Sequence, residues 1–258
     1  MSLRTEALEV RYGAHVAVRP TSLELEPGEL IALIGPNGAG KTSLLRGLAG
    51  IPAPDARVLW QGRPLDEVAR AARARAIAYL PQSPQANWPL TVRELVELGR
   101  LPHRRFGERL RSEDIAAVDR AMQQTGVTAF AGRPLDRLSG GERMRAHLAR
   151  AFAVDAPVLL VDEPVASLDP YHQLSVMRLL TRYRDAGRLV VAVLHDLNLA
   201  LGHCSRLILI DAGEIVADGE PEAVIDAGTL AKHYRIRAWL ADHGGRRVAV
   251  PWEMLENE

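Results

Sequence analysis

A glycine-rich segment between an apolar run and a helical pattern constrains this chain more than any other feature. Residues 31–34 are all apolar and predict a short buried strand, while Leu44, Leu45 and Leu48 recur at helical spacing. The segment between them, residues 35–42, fits the pattern G-x-x-x-x-G-K-[ST]. Glycines in such a turn let backbone N–H groups surround a phosphate, and the following helix adds the positive end of its dipole. The sequence therefore predicts a nucleotide-binding phosphate loop.

The residue types within this phosphate loop predict separate tasks. Lys41 is placed to reach the β and γ phosphates, and the hydroxyl of Thr42 is placed to bind a magnesium ion that bridges them. An ordinary glycine-rich turn is the alternative, but the strand before it and the helix after it favour the phosphate site. The predicted contacts are Gly35, Pro36, Asn37, Gly38, Ala39, Gly40, Lys41, Thr42 and Ser43.

Composition limits the compartment and the partners. The chain has 32 Lys and Arg residues and 32 Asp and Glu residues, so its charge does not require nucleic acid, and we expect no such partner. Its one cysteine, Cys204, excludes an intramolecular disulfide and suits a reducing compartment. The first residues lack an apolar leader, and no apolar run approaches the roughly 18 residues that cross a bilayer. We therefore expect a cytoplasmic protein that reaches a membrane only through a partner.

The N-terminal residues have a strand pattern with one aromatic side chain of interest. Residues 3–25 contain short alternating segments, broken by Tyr12, Gly13 and Pro20, which predicts strands of a partly antiparallel sheet. The ring of Tyr12 could stack on an adenine. Spacing alone does not separate this role from a position in a turn or in the core.

A polar residue, Gln82, follows the strand predicted over residues 76–80. An amide at the nucleotide end of the sheet could meet magnesium or an attacking water. The alternative is a loop amide bonded to the backbone.

Residues 83–138 change to a helical pattern. Thr91 and Ser112 are typical helix starts, and Gly126 is a typical end. A basic stretch lies between the helices, for which a solvated face is the first interpretation and contact with anionic lipid or a partner is the second. It comprises Arg100, His103, Arg104, Arg105, Arg109 and Arg111.

Ser139 and Glu142 form the sequence pattern of a capping box, so a helix is predicted to start here and to run to about residue 152. Gly140 and Gly141 leave the backbone of its first turn open. An open helix N-terminus is a second anion site. The chain thus has two predicted phosphate-binding helix ends, of which only the first has a lysine.

Two adjacent carboxylates, Asp162 and Glu163, follow the apolar run over residues 158–161. Such a run predicts a parallel strand buried on both faces, and open α/β sheets bind ligands at the carboxyl ends of their strands. Asp162 is suited to hold magnesium and Glu163 to polarise the water that attacks the γ phosphate. The next predicted strand, residues 189–194, brings His195 to the same edge, where it could sense the γ phosphate.

Three further patterns describe the second half of the chain. Asp169 and Pro170 predict the cap and first residue of a helix that runs through about residue 185. Residues 207–210 and 214–217 predict a hairpin. Residues 244–247, Gly-Gly-Arg-Arg, predict a loose tail.

Together these motifs, in this order, resemble the ATP-binding subunit of an ABC transporter over nearly the whole chain. The resemblance implies an α/β fold: a P-loop NTPase core with an N-terminal antiparallel β subdomain and a helical signature subdomain. It assigns residues 1–82 and 155–240 to the core with its β subdomain, 83–154 to the helical subdomain and 241–258 to a C-terminal tail, all within a single domain. We call residues 138–142 the signature segment.

The resemblance also implies a mechanism. In this family two ATPase subunits pair head to tail, and each ATP, with Mg²⁺, lies between the phosphate loop of one subunit and the signature segment of the other. Ser139 and Gly141, with Gly140 and Glu142, would complete the partner's site. Glu163 would be the general base, supported by Lys41 and Gln82, and His195 the γ-phosphate switch, while Asp169 would communicate between sites. Gln82 would join Thr42 and Asp162 at the metal, and Tyr12 would stack on adenine.

A finer resemblance is to the ATPases of importers for ferric siderophores, haem and vitamin B12. It depends on residues 91–96 with Gly99-Arg100-x-Pro102, on Leu168-Asp169-x-x-His172-Gln173 and on residues 195–198. It implies a transmembrane permease, a second copy of the chain and, indirectly, a substrate-binding protein, at the cytoplasmic face of the inner membrane. Met144, where glutamine is common, and the order Thr42-Ser43 depart from the family without removing a required group. An exporter ATPase and a soluble ABC-type ATPase are the alternatives.

Overall fold

The computed structural model describes residues 2–51, 57–82, 89–105 and 107–255. Residues 83–88 and 106, within the predicted helical subdomain, therefore lie outside the described part. The strands are β1 (Leu3–Glu6), β2 (Leu8–Tyr12), β3 (His15–Thr21), β4 (Glu24–Leu25), β5 (Leu30–Ile34), β6 (Arg57–Trp60), β7 (Arg63–Pro64), β8 (Ile77–Leu80), β9 (Val158–Asp162), β10 (Leu189–Val193), β11 (Arg206–Asp211), β12 (Glu214–Gly219), β13 (Ile236–His243) and β14 (Arg246–Met254).

Helices connect these strands. Short 3₁₀ helices cover Leu98–His103, Thr128–Phe130 and Leu135–Arg137, and a π-helical turn covers Leu230–Tyr234. None of the helices in the described ranges combines the length and apolar character that crossing a membrane requires. The α-helices are α1 (Lys41–Leu48), α2 (Arg70–Ala76), α3 (Val92–Glu97), α4 (Ser112–Thr125), α5 (Gly140–Ala153), α6 (Pro170–Asp185), α7 (Leu197–His203), α8 (Pro221–Val224) and α9 (Ala227–Thr229).

A six-stranded sheet carries the predicted site at one edge. Its order is β12, β11, β5, β10, β9, β8, and all pairs are parallel except β11 with β12. Strands β5, β9 and β10 are buried along their whole length, as their continuous apolar sequences predict. Because parallel strands end at the same edge, the phosphate loop after β5, Glu163 after β9 and His195 after β10 are brought together.

The two faces of this sheet bury different partners. Leu30, Ala32 and Ile34 of β5 belong to the core that includes the helical part of the chain. Ile31 and Leu33 belong to a second core, which includes side chains of α1 and of the N-terminal strands. Those strands form an antiparallel sheet of order β4, β1, β6, β7 and the separate hairpin of β2 and β3. The partly antiparallel N-terminal sheet is confirmed.

The helical part uses the caps that its sequence predicts, with one difference. Thr91 caps α3 through a capping box with Glu94. Helix α4 begins at Ser112 itself, preceded by Arg111, whose backbone N–H is accepted by Asp114. Ser112 therefore starts this helix, as predicted, but it is the carboxylate of Asp114, rather than a capping hydroxyl, that accepts the N–H of Arg111.

Arg100 is buried, so the interpretation of the whole basic stretch as a solvated face is wrong. Its side chain donates to Asp114 at 2.9 Å and to the carbonyl of Ala153 at 2.7 Å. His103 bonds the carbonyl of Val154 at 2.7 Å. Burial alone would raise the pKa of Asp114, but the hydrogen bonds from Arg100 and Arg111 outweigh it and lower that pKa. These contacts tie α4 and the segment after α3 to the end of α5.

The prediction of a loose C-terminal tail is also wrong, because residues 236–254 form an antiparallel hairpin. Residues 236–243 of β13 pair with 246–254 of β14, and Gly244 and Gly245 form the turn at positive φ. The side chain of Asn198 on α7 bonds both the carbonyl and the N–H of Ala249, which is buried. The hairpin is therefore attached to the core through α7.

We predict that Arg100→Ala lowers the free energy of unfolding by about 3–5 kcal/mol, because it leaves the buried carboxylate of Asp114 without its partner. Urea denaturation measures the change, with the exposed Arg109→Ala as the control, expected to shift stability by less than about 0.5 kcal/mol. The double variant Arg100→Met/Asp114→Leu should recover most of the loss. Equal effects of the two alanine variants would contradict a structural role of the pair.

Candidate nucleotide site

Two glycines let the phosphate loop approach neighbouring backbone more closely than a side chain would allow. Gly35 has φ 144° and Gly40 has φ 107°. A Cβ at Gly35 would lie 2.0 Å from the carbonyl oxygen of Ile210, and one at Gly40 would lie 2.3 Å from that of Ala17. Both contacts are with backbone, which cannot move aside, so only glycine fits. The loop is thereby held between β11 and β3.

Lys41 closes the loop on itself. Its Nζ donates to the carbonyl oxygens of Gly35 and Pro36, both at 2.8 Å, and the residue is only 5% exposed. Burial lowers the pKa of this ammonium, while Glu163 and Asp162 act in the opposite direction. The two carbonyl partners of this ammonium are neutral. A phosphate carries a full negative charge and can therefore replace them as its partner.

Asp162 and Thr42 form the second part of the site. The Thr42 hydroxyl donates to Oδ1 of Asp162 at 2.9 Å, and the Tyr79 hydroxyl lies 3.5 Å from Oδ2. Asp162 is 1% exposed, and this burial raises the pKa of its carboxyl. A hydroxyl beside a carboxylate suits Mg²⁺, which takes one or two protein ligands and completes its shell with phosphate oxygens and water. No group of three or more His, Cys, Asp or Glu side chains that could hold a metal occurs among the described residues.

Glu163, Gln82 and His195 meet at the same edge. Gln82 Nε2 donates to Oε2 of Glu163 at 2.7 Å, and Nε2 of His195 lies 2.7 Å from Oε1. Glu163 adopts φ 49°, which directs it away from the extended path of β9. The structure therefore places Gln82 on Glu163 rather than on the Thr42–Asp162 pair.

A cavity of about 260 Å³ lies beside the loop. Residues 37–43, Glu163 and His195 line it, together with Tyr12, whose ring is 47% exposed and accessible for stacking. Gly35 and Pro36 are not among the described residues that line the cavity, and their carbonyls accept hydrogen bonds from Lys41 instead. Two lining residues, His15 and Ala17, escaped sequence reasoning. His15 pairs with Tyr12 in the register of β2 with β3. A hairpin turn predicted at residues 13–14 would therefore have placed His15 beside Tyr12 at the site.

The signature segment has the predicted cap. The Ser139 hydroxyl accepts from the N–H of Glu142 at 3.3 Å, and the Glu142 carboxylate accepts from the N–H of Ser139 at 2.9 Å. Ser139 and Gly140 are exposed, whereas Gly141 is buried. No signature residue is among the described residues that line the cavity. Within one subunit, the two predicted anion sites are therefore separate.

Asp169 caps α6, as its sequence predicts. Its Oδ1 accepts from the N–H of His172 at 2.9 Å and its Oδ2 lies 2.7 Å from Nδ1 of the same residue. These hydrogen bonds, first that from the backbone N–H of His172, lower the pKa of Asp169. Asp169 is exposed and is not among the cavity residues.

Known proteins resemble this chain in sequence over most of its length. The hemin import ATP-binding protein of Streptomyces coelicolor is 45% identical over 88% of this chain and 81% of its own. The ferric enterobactin transport ATP-binding protein of Escherichia coli is 38% identical over 96% and 93%. The cobalamin import ATP-binding protein of Halobacterium salinarum is 41% identical over 92% of this chain, which spans 60% of that protein.

Solved structures resemble it in fold. An ABC transporter of metal-chelate type in an inward-facing conformation superposes with a TM-score of 0.83 and 24% identity, over 97% of each chain. A dimeric ATP-binding cassette bound to ADP and Pi gives a TM-score of 0.72 and 25% identity, over 85% of this chain and 98% of that one. These neighbours confirm the expected α/β cassette fold.

The family model described as ABC transporter matches residues 18–166, more than half of the chain. This match includes the phosphate loop, Gln82, the signature segment and the Asp162–Glu163 pair. With relatives 38% and 45% identical over most of their own length, it establishes the family. This chain belongs to the ATP-binding proteins of ABC transporters, which hydrolyse ATP to drive transport.

Proposed function

We propose that this chain is the ATP-hydrolysing subunit of an importer that takes up a ferric siderophore, haem or cobalamin through a separate permease. The ATPase activity is inferred from one observation. The phosphate loop, the Thr42–Asp162 pair and the Gln82–Glu163–His195 cluster lie together at one edge of the sheet. The cargo class is inferred from the relatives that serve hemin import, ferric enterobactin transport and cobalamin import. The subunit works peripherally, at the cytoplasmic face of the inner membrane.

ATP binds through the loop backbone and the side chains of Lys41 and Tyr12. The N–H groups of residues 37–43 surround the phosphates, and Lys41 exchanges its loop carbonyls for the β and γ phosphates. Tyr12 stacks on the adenine. Thr42 and Asp162, joined by Gln82 if it left Glu163, would hold Mg²⁺, which would supply positive charge beside the phosphates.

Glu163 acts as the general base. Each of its two carboxylate oxygens has one partner, Gln82 or His195, and we expect one of these contacts to be exchanged for the water from which Glu163 accepts a proton. His195 lines the cavity and is positioned to pass from Glu163 to the γ phosphate. Hydrolysis depends on positioning and charge rather than on a covalent intermediate.

The second copy of the chain completes the site. Ser139, Gly140, Gly141 and Glu142 open the long helix α5, whose N-terminus is an anion site with two exposed residues and no place in its own subunit's cavity. Head-to-tail pairing would bring it to the partner's ATP, with Asp169 near the shared boundary. The similar cassette bound to ADP and Pi is dimeric.

Lys41→Ala should weaken ATP binding at least about tenfold, equal to roughly 1.4 kcal/mol, because it removes a charge-assisted contact with the phosphates. A titration with fluorescent ATP measures the affinity. Lys232, the chain's other lysine, is exposed, and Lys232→Ala is the matched control. Unchanged affinity in the Lys41 variant would remove this lysine from the site.

Glu163→Gln should slow ATP hydrolysis about 100-fold or more while leaving ATP bound, so that a dimer accumulates. Phosphate release and sedimentation in the presence of Mg²⁺ and ATP measure the two effects. Glu220, exposed before α8 without a side-chain capping bond, supplies the control Glu220→Gln. Turnover near that of the wild type would show that Glu163 is not the base.

The importer assignment predicts a permease partner. The tagged chain, purified from detergent-solubilised membranes of its source cells, should carry a polytopic membrane protein with it. ATPase activity of that complex should rise with a binding protein loaded with haem, ferric siderophore or cobalamin, and the effective ligand names the cargo. Recovery of soluble partners alone would favour a soluble ABC-type ATPase, and stimulation by an exported substrate would favour an exporter.

A further inference from the structure

The ring of His172 lies directly against the first turn of α5. A Cβ built on Gly141 would be 2.0 Å from Cδ2, 2.5 Å from Cγ and 2.7 Å from Nε2 of this ring. Separations this short show that the ring occupies the place where the side chain of residue 141 would project. Gly141 is therefore required by His172, besides any contact that it makes with phosphate.

The ring cannot move aside freely. Its Nδ1 lies 2.7 Å from Oδ2 of Asp169, and the other oxygen of that carboxylate accepts from the N–H of His172 at 2.9 Å. Tyr171 packs edge-on at a centroid distance of 5.4 Å. Asp169 therefore holds both the backbone and the ring of His172. A shift of Asp169 would for this reason also shift the ring.

Asp169 is joined to the hydrolytic residue by a compact segment, residues 163–169, which we call the hydrolytic turn. Glu163 and Ser167 have φ 49° and 60°, and the N–H groups of Ala166 and Leu168 bond the carbonyls of Glu163 and Val165. Leu168 lies near α5 as well, because a Cβ built on Gly140 would be 3.7 Å from its Cδ2. Glu163 is thus connected through a closed turn to residues that lie beside the start of α5.

The receiving element is rigid. The capping box of Ser139 and Glu142 holds the first turn of α5, and Gly141 is buried beneath it. A shift at Gly141 therefore moves the N–H groups around Ser139 as one body.

We propose that His172 is a positioning residue that fixes the signature helix of its own subunit against the hydrolytic turn. It thereby couples hydrolysis in one site to the site that its subunit completes in the partner. This inference rests on the proposed head-to-tail ATPase.

A rescue experiment tests the contact. Gly141→Ala inserts a methyl group into the His172 ring and should reduce ATP-dependent dimer formation at least tenfold in the Glu163→Gln background. Adding His172→Ala removes the obstruction, so the double variant should form the dimer as well as His172→Ala alone and better than Gly141→Ala. Gly140→Ala, where the added Cβ meets Leu168 at an ordinary 3.7 Å, should cost less than Gly141→Ala. Failure of the double variant to recover would overturn the contact as the cause.

A second experiment separates coupling from local support. One subunit carries Lys41→Ala and the other Ser139→Arg, so each homodimer lacks a working site, and a mixed dimer has one, built from the second subunit's phosphate loop and the first subunit's signature. His172→Ala is then added to either subunit. We expect turnover to fall at least fivefold more when it is added to the Lys41→Ala subunit, which supplies the signature.

The possible results distinguish the two proposals. If His172→Ala acts mainly on the Ser139→Arg subunit, which supplies Glu163, the residue supports only its own turn and the coupling is refuted. If mixing the two inactive subunits restores no ATP hydrolysis although wild-type protein hydrolyses ATP, the shared site fails, and the role of His172 fails with it. Binding of fluorescent ATP to each monomer, unchanged by His172→Ala, excludes a defect in the phosphate loop.

Discussion

The structure depends on backbone brought against backbone at the phosphate loop. Gly35 lies on the carbonyl of Ile210 and Gly40 on the carbonyl of Ala17, so the loop is held between the central sheet and the N-terminal hairpin. Because no Cβ fits either contact, only glycine allows the loop to approach these carbonyls so closely. Lys41 is held inside the loop by the carbonyls of Gly35 and Pro36, and Tyr12 pairs with His15 in the hairpin at the edge of the cavity.

Two adjacent carboxylates acquire different chemistry from the backbone that carries them. Asp162 is the last residue of β9, buried with Thr42 and Tyr79, where it faces the start of α1. Glu163 turns through φ 49° to Gln82 and His195 at the cavity. One residue thus stays in a protected position suited to a metal, and the next reaches water. The strained conformation at Glu163 separates the two roles.

Local signals made much of this structure predictable. The glycine pattern, the two helix caps and the apolar strands each involve residues that are neighbours in sequence. The structure contains all of them where the sequence predicts them. The burial of Arg100 depends on Asp114 and Ala153, which are distant in sequence. The C-terminal hairpin pairs strands whose exposed faces include Trp239 and Trp252, so no clear alternation announces it. The division into subdomains and the roles of the site residues remain predictions.

Within one subunit, the contacts of Glu163 are already made before ATP and the partner arrive. Gln82 and His195 together occupy both oxygens of Glu163, so the proposed base is held by the groups that must rearrange when ATP and the partner arrive. Gln82 is exposed and follows β8, whereas His195 follows β10, so two separate strands control one carboxylate. We expect a subunit built in this way not to hydrolyse ATP without its partner. Freeing one of these oxygens for water requires movement at the end of only one of the two strands, and the hydrolytic turn would carry that movement through Asp169 and His172 to the signature helix.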